Sequence, residues 1–313
     1  LAVAGCDNAS KNGPAPAAST AAGESPTQIT EKWRAKHETD YRRDWVTIAG
    51  LHPLKAGANT AGSAATNDIQ LPASAPAKLG VFVLIGDKVR FEPSPAVAAM
   101  KDSPIRLKDQ PVTTAIDLKD DGPGSSADEL RLGDIRLVVH VSGDNRSLRV
   151  RDPNGVQARS FLGFEWFPID LQYRVTGRFI KDAEPRSLPV LNTFGDKDEY
   201  KTEGVVEFTL AGQTLRLRPF TTRPKRVYFV FRDASSGEET YETARFLYAD
   251  LLDDGTSVLD FNQAYNPPCA FNPYTTCPVP LPENRLKVKI LAGEKAYPVK
   301  VPQGRAKEHV RRP

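Results

Sequence analysis

Six side chains that could take part in chemistry lie in a short segment of the second half of the chain. They are Arg232, Asp233, Glu238, Glu239, Tyr241 and Arg245. Two neighbouring carboxylates can serve in acid–base chemistry, and an arginine can hold an anionic group. The same residue types around hairpin turns also form solvated or structural ion pairs. The sequence therefore leaves both a functional site and a structural role open for this segment.

A proline-rich stretch further along the chain could cover these side chains. The stretch "NPPCAFNPYTTCPVPLPENR", residues 266–285, excludes a regular helix, and its Asn-Pro turns favour one fixed conformation. We expect an ordered lid against the 232–245 hairpin, with Asn266, Tyr265 or Glu283 reaching the hairpin's charged groups. The predicted ligand-binding residues are Arg232, Asp233, Glu239, Tyr241, Arg245, Tyr265, Asn266 and Glu283.

The three cysteines of the chain are Cys6, Cys269 and Cys277. If Cys6 carries a lipid, an even pair remains in an exported and oxidising compartment, which favours a disulfide between Cys269 and Cys277. A structural zinc is the rival interpretation, but no histidine lies near the pair and the four-ligand spacing is absent. We therefore predict a disulfide, no metal and no cofactor.

Motifs for nucleophilic catalysis are missing from the sequence. It contains no Gly-x-Ser-x-Gly elbow, no Ser-x-x-Lys and no glycine-rich phosphate loop. The 42 basic and 39 acidic residues leave a formal net charge of +3, without a basic stripe, so nucleic acid is not an expected partner.

Two functions of different classes follow from these residues. The first is a non-catalytic lipoprotein of the cell envelope whose loop surface binds a partner protein, a glycan or a small ligand. The second is a hydrolase or other enzyme that acts on an envelope substrate through Asp233, Glu239 and Arg245. A deep pocket converging on the carboxylates would favour the enzyme, and a shallow, well-packed loop end would favour binding.

The first residues of the chain, "LAVAGC", resemble the lipobox of a bacterial lipoprotein signal peptide. Residues 1–6 are then a remnant of that signal, and Cys6 is acylated and anchors the protein to a membrane. Residues 7–26 are rich in Ala, Ser, Gly and Pro and are expected to form a flexible tether. The predicted location is the cell envelope, either at the periplasmic face of the inner membrane or at the outer membrane. No later apolar run approaches the roughly 20 residues of a membrane-spanning helix.

A helix is predicted over residues 27–45. Ser25, Pro26 and Gln28 occupy the positions of an N-cap, a first-turn proline and a capping-box partner. One face of this helix is formed by Ile29, Trp33, His37, Tyr41 and Trp45, which recur every four residues. His37 could be functional on this face, although a packed histidine is the alternative.

The segment "GFEWFPID" combines aromatic and acidic residues, a mixture found on carbohydrate-binding surfaces. It contains Glu165, Trp166 and Asp170. Packing of Trp166 and Phe167 into the core is the alternative interpretation.

The rest of the chain has the pattern of strands separated by turns. With 26 prolines, 22 glycines and alternating apolar residues, it favours an all-β fold of two lobes, sandwich or barrel in type, preceded by one amphipathic helix. We place the first lobe at residues 46–155, the second at 156–300, and a basic tail at 301–313. Gly86-Asp87 and Gly143-Asp144 are predicted hairpin turns.

The second lobe contains three consecutive predicted strands, "KRVYFVFRD", "ETARFLYADLL" and "TSVLDFN". Residues 227–231 are apolar at every position, which predicts a strand covered on both faces. Short turns separate the three strands, so we expect a meander with the 232–245 turn and the start of the 266–285 stretch at the same end of its sheet.

Several long segments resemble a bacterial family catalogued as domain of unknown function 1684. They are "GLHPLKAGANTAGSAATNDIQLPASAPAKLGVFVL", "GFEWFPIDLQYRV", "FVFRDASSGEETYETARFLYADL" and "LDFNQAYNPPCAFNPYTTCPVPLPENRL". The resemblance spans about residues 40 to 297, and the family name carries no activity.

The first lobe is also similar to forkhead-associated domains, which are β-sandwiches that bind phosphothreonine. That family has Gly-Arg where Gly62-Ser63 stands here and Ser-x-x-His where "SAPAK" stands, so the resemblance implies shared strand architecture without the phosphate-contacting residues. Only Lys78 could supply a basic side chain there.

Overall fold

The computed structural model describes residues 23–122 and 124–301. Strands are its main elements, which confirms the all-β prediction with one N-terminal helix. The described chain divides into two compact units, one of residues 43–161 and one of residues 23–42 with 162–301. The regions around Cys6, the tether up to residue 22 and the tail from residue 302 lie outside the described residues.

The first unit is built from two sheets with an apolar core. One sheet has the order β1-β11-β10-β9-β6-β7 and the other β3-β2-β4-β5-β8. The strands are β1 (Ile48–Pro53), β2 (Gly57–Gly62), β3 (Ile69–Gln70), β4 (Gly80–Ile85), β5 (Lys88–Pro93), β6 (Ile105–Leu107), β7 (Gln110–Pro111), β8 (Ile116–Leu118), β9 (Glu129–Leu132), β10 (Ile135–Ser142) and β11 (Asn145–Arg151). Two short helices, α2 (Pro95–Ala98) and α3 (Val156–Ser160), complete the unit.

Alternating burial along these strands creates the core of the first unit. Phe82 and Phe91 pack with ring centroids 4.9 Å apart in the middle of the five-stranded sheet. The β4–β5 and β10–β11 hairpins turn through two residues each, and Gly86 and Gly143 have positive φ there, as the tight turns require. Both predicted hairpins are confirmed.

The second unit holds the helix α1 (Pro26–Tyr41) and two further sheets. A four-stranded sheet has the order β14-β13-β12-β18 and a three-stranded sheet the order β15-β16-β17. Their strands are β12 (Arg174–Leu191), β13 (Lys197–Leu210), β14 (Gln213–Leu217), β15 (Phe220–Arg223), β16 (Arg226–Phe231), β17 (Arg245–Asp250) and β18 (Thr256–Asp260). Single helical turns of this unit lie at Leu171–Tyr173, Phe261–Gln263, Pro268–Ala270 and Pro282–Asn284, and a further turn, Arg42–Val46, falls mainly in the first unit.

Helix α1 begins with the predicted capping box. The Ser25 hydroxyl accepts a hydrogen bond from the Gln28 amide at 3.3 Å, and the Gln28 side chain accepts one from the Ser25 amide at 2.9 Å. Further along, the Thr30 hydroxyl donates to Asp260 at 3.0 Å, and the Arg34 guanidinium donates to the carbonyl oxygens of Phe167 and Asn262. These bonds attach the helix to the β part of the second unit.

The strand β16 is buried at all six positions, as its continuous apolar pattern predicts. It pairs with β17 in antiparallel register, from Arg226 opposite Asp250 to Phe231 opposite Arg245. The predicted three-stranded meander is wrong in its last member, because β18 pairs with β12 in the other sheet. The apolar cluster that includes Phe208, Phe229 and Leu259 joins residues of both sheets, so the crossover places β18 against the same core.

Candidate functional site

The predicted hairpin site centres on a fully buried ion pair. Arg245 Nη1 lies 2.6 Å from Asp233 Oδ2, and both side chains are 0% exposed. The guanidinium also donates to the carbonyl oxygens of Ile290, at 2.9 Å, and Ala292. Burial lowers the pKa of Arg245, and the Asp233 carboxylate opposes that shift. The two charges pair with each other inside the protein, in place of the solvent-facing clamp that the sequence suggested, although Arg245 Nε has no hydrogen-bond partner among the described residues.

The Asp233 carboxylate has further partners in its own turn. Its Oδ1 accepts hydrogen bonds from the Ser235 amide at 2.7 Å, the Ser235 hydroxyl at 2.5 Å and the Ile290 amide at 3.3 Å. A carboxylate with this many donors fixes the turn and is not poised to accept a proton from a ligand.

Three further predicted residues, Glu239, Glu283 and Arg232, have different partners. Glu239 pairs with Lys289 at 2.7 Å. Glu283 pairs with Arg218 at 2.7 Å and does not reach the charged groups of the hairpin. Arg232 contacts the 266–285 stretch through its backbone, since its amide donates to Asn284 O at 3.0 Å. The stretch therefore does lie beside the hairpin, mainly through main-chain bonds.

The two cysteines of the stretch are thiols, so the predicted disulfide is wrong for this structure. The Cys269 amide donates to Cys277 Sγ at 3.4 Å, and both side chains are buried. Hydrogen bonds hold the loop instead: the Thr275 hydroxyl donates to Asn272 O at 3.0 Å, and the Cys277 amide donates to Thr193 Oγ1 at 3.2 Å. Tyr241 approaches the loop at Cys269 Sγ, 3.7 Å from its hydroxyl, and burial raises the pKa of this tyrosine, followed by the effect of the thiol.

A different part of the second unit gathers aromatic side chains around one histidine. We call this group the α1 aromatic cluster; its members are Trp33, His37, Tyr41, Phe164, Trp166, Tyr265 and Phe271. The His37 ring stacks on Trp33 with centroids 4.8 Å apart and lies 4.3 Å from Tyr41 and 4.5 Å from Tyr265. The spacing of four residues on α1, predicted from the sequence, places the first three rings in this row.

His37 is a neutral and incompletely bonded member of the cluster. Its side chain is 4% exposed, and burial lowers its pKa to about 3. Its Nε2 atom has no hydrogen-bond partner among residues 23–122 and 124–301. A buried ring nitrogen without a partner destabilises the fold by about 1–3 kcal/mol, so this position calls for an explanation.

Next to the aromatic rings lie two buried polar side chains, Asn266 and Glu294. They are 0% and 2% exposed. The Asn266 amide donates to Glu294 Oε2 at 2.7 Å, and Asn266 Nδ2 donates to Lys295 O at 2.7 Å. Asn266 Oδ1 has no hydrogen-bond partner within the described part of the chain. Burial raises the pKa of Glu294 to about 8, so this acid is neutral at pH 7.

Irregular strand segments bring these side chains together. Tyr265 bridges to Phe246 of β17, and Glu294 bridges to Trp166 in antiparallel pairing. The Glu294 amide donates to Ala264 O at 2.8 Å, which links the two segments. The Tyr41 hydroxyl donates to Asn266 O at 3.3 Å, so helix α1 contacts the same segments. The sheet that begins with β15 thus continues irregularly beneath α1.

The charged groups around the cluster already have partners. Glu38 accepts a hydrogen bond from Trp166 Nε1 at 2.7 Å, and its charge adds to the raised pKa of Glu294. The Arg34 guanidinium lies 4.8 Å from the centre of the Trp166 ring while it donates to main-chain carbonyls. Lys295 pairs with Glu165. The interior of the cluster is therefore aromatic and polar but uncharged.

The sequence identified parts of this cluster for other reasons. Tyr265 and Asn266 were predicted to face the hairpin, but they lie in the α1 aromatic cluster and beside it. Trp166 is half-buried there and contacts both Trp33 and His37, at centroid distances of 6.0 and 5.9 Å. Glu294 was not predicted, because a single glutamate in "LAGEKAYP" has no neighbouring motif to mark it.

A buried ionic group of the first unit is formed by His140, Asp121 and Arg149. His140 Nδ1 lies 2.9 Å from Asp121 Oδ2, and Arg149 Nη1 donates to the same oxygen at 3.0 Å. The Val141 amide donates to Asp121 Oδ1 at 2.9 Å. His140 first, then Arg149, holds the pKa of Asp121 well below its usual range against the opposing effect of burial. These contacts link β10 and β11 to the loop after β8.

The described residues contain neither a candidate metal site nor a candidate membrane-spanning helix. No group of three or more His, Cys, Asp or Glu side chains is arranged to hold a metal ion in residues 23–122 and 124–301. Within the same ranges, no helix has the length and apolar character to span a membrane.

Comparisons with known proteins match part of the chain to a protein family and to solved structures. Residues 159–295 match DUF1684, described as "Protein of unknown function (DUF1684)". A search of curated proteins finds no match. The chain is similar to an uncharacterized protein of Haloarcula marismortui, solved by solution NMR, with 30% identity over 46% of this chain and 82% of that chain and a TM-score of 0.38. It is also similar to Mycobacterium tuberculosis EmbR in complex with a low affinity phosphopeptide, with 17% identity over 40% of this chain and 31% of that chain and a TM-score of 0.21.

The family match is shorter than the resemblance seen in the sequence. That resemblance began near residue 40, whereas the match begins at residue 159 and so lies almost entirely in the second unit. It includes Trp166, Asn266 and Glu294, while α1 precedes it. Residues 159–295 therefore match the DUF1684 family model.

Proposed function

We propose that the second unit is a ligand-binding module and that the α1 aromatic cluster, with Asn266 and Glu294, is its site. One observation carries this proposal: His37 Nε2 and Asn266 Oδ1 are both buried without a partner among the described residues, and both lie among aromatic side chains. Small-molecule sites typically combine aromatic walls with a few polar groups that fix the ligand's orientation.

The energetics favour a functional reason for these polar atoms. A fully packed core would be more stable with an apolar ring in place of His37, because a buried polar atom without a hydrogen bond is unfavourable. Glu294 is a further unfavourable buried group, since its carboxyl group must stay protonated to avoid an unpaired charge. Three such groups at one place are expected where a fold gives up stability for binding.

The site is closed in this structure, so binding requires a local movement. His37 and Asn266 are buried, whereas Trp33, Phe164 and Trp166 reach solvent in part. Helix α1 contributes Trp33, His37 and Tyr41 from one side, and the β segments contribute the other rings. A small shift of α1 side chains would admit a ligand without unfolding the sheets.

The hydrolase alternative has less support. Its predicted groups were Asp233, Glu239 and Arg245, but Asp233 and Arg245 are fully buried against each other. Glu239 is 35% exposed and paired with Lys289. A general acid or base must come within hydrogen-bond reach of the substrate, and the buried pair does not.

Nuclear magnetic resonance of the three tryptophan indole N–H groups tests the proposal. A panel of small soluble compounds should shift the signals of Trp33 and Trp166, which lie in the cluster, while Trp45 of the first unit serves as internal control. The variant His37→Phe should lose the shifts, and the matched control Glu31→Gln, at an exposed position of the same helix, should keep them. Shifts that survive in His37→Phe would place the site elsewhere.

Anchoring at the cell envelope remains a proposal from the sequence. The lipobox-like "LAVAGC" and the Ala-, Ser- and Pro-rich segment after it support a lipid on Cys6, and an envelope location would give the module access to glycans, small ligands or partner proteins there. Membrane fractionation of the full chain tests this. The variant Cys6→Ser should move to the soluble fraction, and a variant that sediments with membranes as the wild type does would show that the lipobox interpretation is wrong.

A further inference from the structure

We propose that the α1 aromatic cluster selects an electrically neutral ring that carries hydroxyl groups, such as a sugar, over charged rings of the same shape. This inference rests on the proposed function and adds the chemical class of the ligand. It follows from the hydrogen-bonding capacity of the unpartnered atoms, from the pairing of the surrounding charges and from the exposed aromatic surface.

The unpartnered atoms define what the ligand must offer. Asn266 Nδ2 donates to Lys295 O, so the atom left without a partner, Oδ1, is an acceptor, and a hydroxyl group of the ligand or the protonated carboxyl group of Glu294 can donate to it. His37 Nε2 can donate or accept, depending on the tautomer of the neutral ring. A hydroxyl group donates and accepts, so it matches both atoms. A carboxylate only accepts, so it could not donate to Asn266 Oδ1.

The surrounding charges offer no partner to a charged ligand. Arg245 is paired with Asp233 and donates to two carbonyl oxygens through Nη1 and Nη2, and Arg34 donates to the carbonyls of Phe167 and Asn262. Glu38 is bonded to the Trp166 indole. A charged ring would therefore enter a buried region without a counterion, which is strongly unfavourable.

The aromatic surface suits the apolar face of a sugar ring. Trp33 and Trp166 meet edge to face with centroids 6.0 Å apart, and both are half-buried. Tryptophan offers a large apolar surface with a polar N–H edge, which is the combination that a ring with C–H faces and hydroxyl edges can use.

Protonation of Glu294 gives the proposal a pH signature. The groups that act on Glu294 are Glu38 from α1, Arg245 from β17, and Asn266 through its backbone and side-chain N–H groups. His37 stays neutral at any pH well above 3. When Glu294 ionises, a negative charge appears beside Asn266 and the network must rearrange, so affinity for a neutral ring should fall as the pH rises through about 8.

Three probes of one ring shape test the charge preference in the full chain. Methyl glucoside is neutral, glucuronate is anionic, and glucosamine is cationic in mildly acidic buffer. Binding is followed through the Trp33 and Trp166 indole signals. The neutral ring should bind at least about tenfold more tightly than either charged ring. Equal or tighter binding of a charged ring at these tryptophans would overturn the inference while leaving the proposed function intact.

Two variants sharpen the test. Glu294→Gln should abolish the dependence of methyl glucoside affinity on pH around 8, whereas Glu165→Gln, an exposed acid paired with Lys295, should keep the pH dependence of the wild type. If Glu294→Gln does not fold, the pH titration of the wild type alone decides, because affinity that is constant through pH 8 contradicts the role of Glu294. If no sugar binds but another compound shifts Trp33 and Trp166, the sugar assignment fails alone. If no compound shifts them, both proposals fail.

Discussion

Two buried polar groups of the second unit differ in how far their hydrogen bonds are satisfied. At the hairpin, Asp233 and Arg245 form a 2.6 Å ion pair, and neighbouring amides, a hydroxyl and carbonyl groups complete most of their bonds. Beside α1, His37 and Asn266 each keep a buried atom without a partner in the described residues. The hairpin was the place that the sequence favoured for a site, yet its buried charges are paired with each other, and of its buried side-chain atoms only Arg245 Nε and Glu239 Oε2 lack a partner among the described residues. The unpartnered atoms beside α1, by contrast, lie next to aromatic rings, and no ion pair occupies them.

The difference indicates separate roles for the two groups. A buried ion pair stabilises a particular arrangement of chain segments, here the hairpin turn and the 290–292 backbone, and its two charges are already matched to each other. Polar atoms that lower stability without bonding are retained where another molecule can use them.

The largest effect is expected from breaking the ion pair on one side. Arg245→Met leaves Asp233 as an unpaired buried charge, so the free energy of unfolding should fall by about 3–5 kcal/mol in urea denaturation at pH 7. The double variant Arg245→Met with Asp233→Asn removes the unpaired buried charge and should recover part of the lost free energy of unfolding. If Arg245→Met unfolds with the stability of the wild type, the pair does not hold the hairpin and the contrast between the two groups fails.

A pH dependence of intermediate size should come from Glu294. In the fold its pKa is raised from 4.5 to about 8, so between these values the native state binds a proton that the unfolded chain has released. Its contribution to stability is therefore complete below about pH 4.5 and is lost as the pH rises to about 8, a change on the order of a few kcal/mol. Glu294→Gln should flatten this decline in a series of thermal or urea unfolding curves.

His37 should act in the opposite direction at lower pH. Its pKa is lowered from 6.5 to about 3, so the unfolded chain binds the extra proton and stability should rise from pH 3 to pH 6.5. His37→Phe should remove this rise and leave the Glu294 decline unchanged. A decline that disappears in His37→Phe would mean that the two groups do not titrate independently.

The smallest effect is expected at the exposed end of the lid. Glu283 is 52% exposed in its pair with Arg218, and Arg218 retains Asp182 at 2.6 Å. Glu283→Gln should therefore change the free energy of unfolding by less than about 1 kcal/mol. It should also leave the indole signals of Trp33 and Trp166 unchanged, because Glu283 lies outside the α1 aromatic cluster. A large change in either measurement would connect the lid to the cluster.

Local sequence signals predicted much of the fold. The capping box at Ser25, the two-residue turns at Gly86 and Gly143 and the buried strand β16 all depend on residues close in the chain, and all are confirmed. The pairing of β18 with β12 was missed, because it depends on contacts about 80 residues apart that no local pattern encodes.

The site was harder to predict than the fold. The row formed by Trp33, His37 and Tyr41 was visible as a four-residue repeat, but its partners Trp166, Tyr265 and Glu294 come from distant segments joined by single bridges. The buried state of Arg245 was also hidden, because the turn sequence around it is typical of solvated charges. The disulfide prediction depended on the assumed compartment rather than on geometry, and the loop is held by hydrogen bonds instead.

The unfolding free energy of His37→Phe, measured beside the wild type at pH 7 without ligand, decides whether His37 is retained for ligand binding or for the stability of the core. If His37 is retained for binding, removing its unpartnered Nε2 while keeping an aromatic ring should leave stability equal to the wild type or raise it by about 1 kcal/mol. The control Glu31→Gln should show no change beyond about 0.5 kcal/mol. A loss of more than about 2 kcal/mol in His37→Phe would show that His37 is a structural member of the core, and would contradict the account.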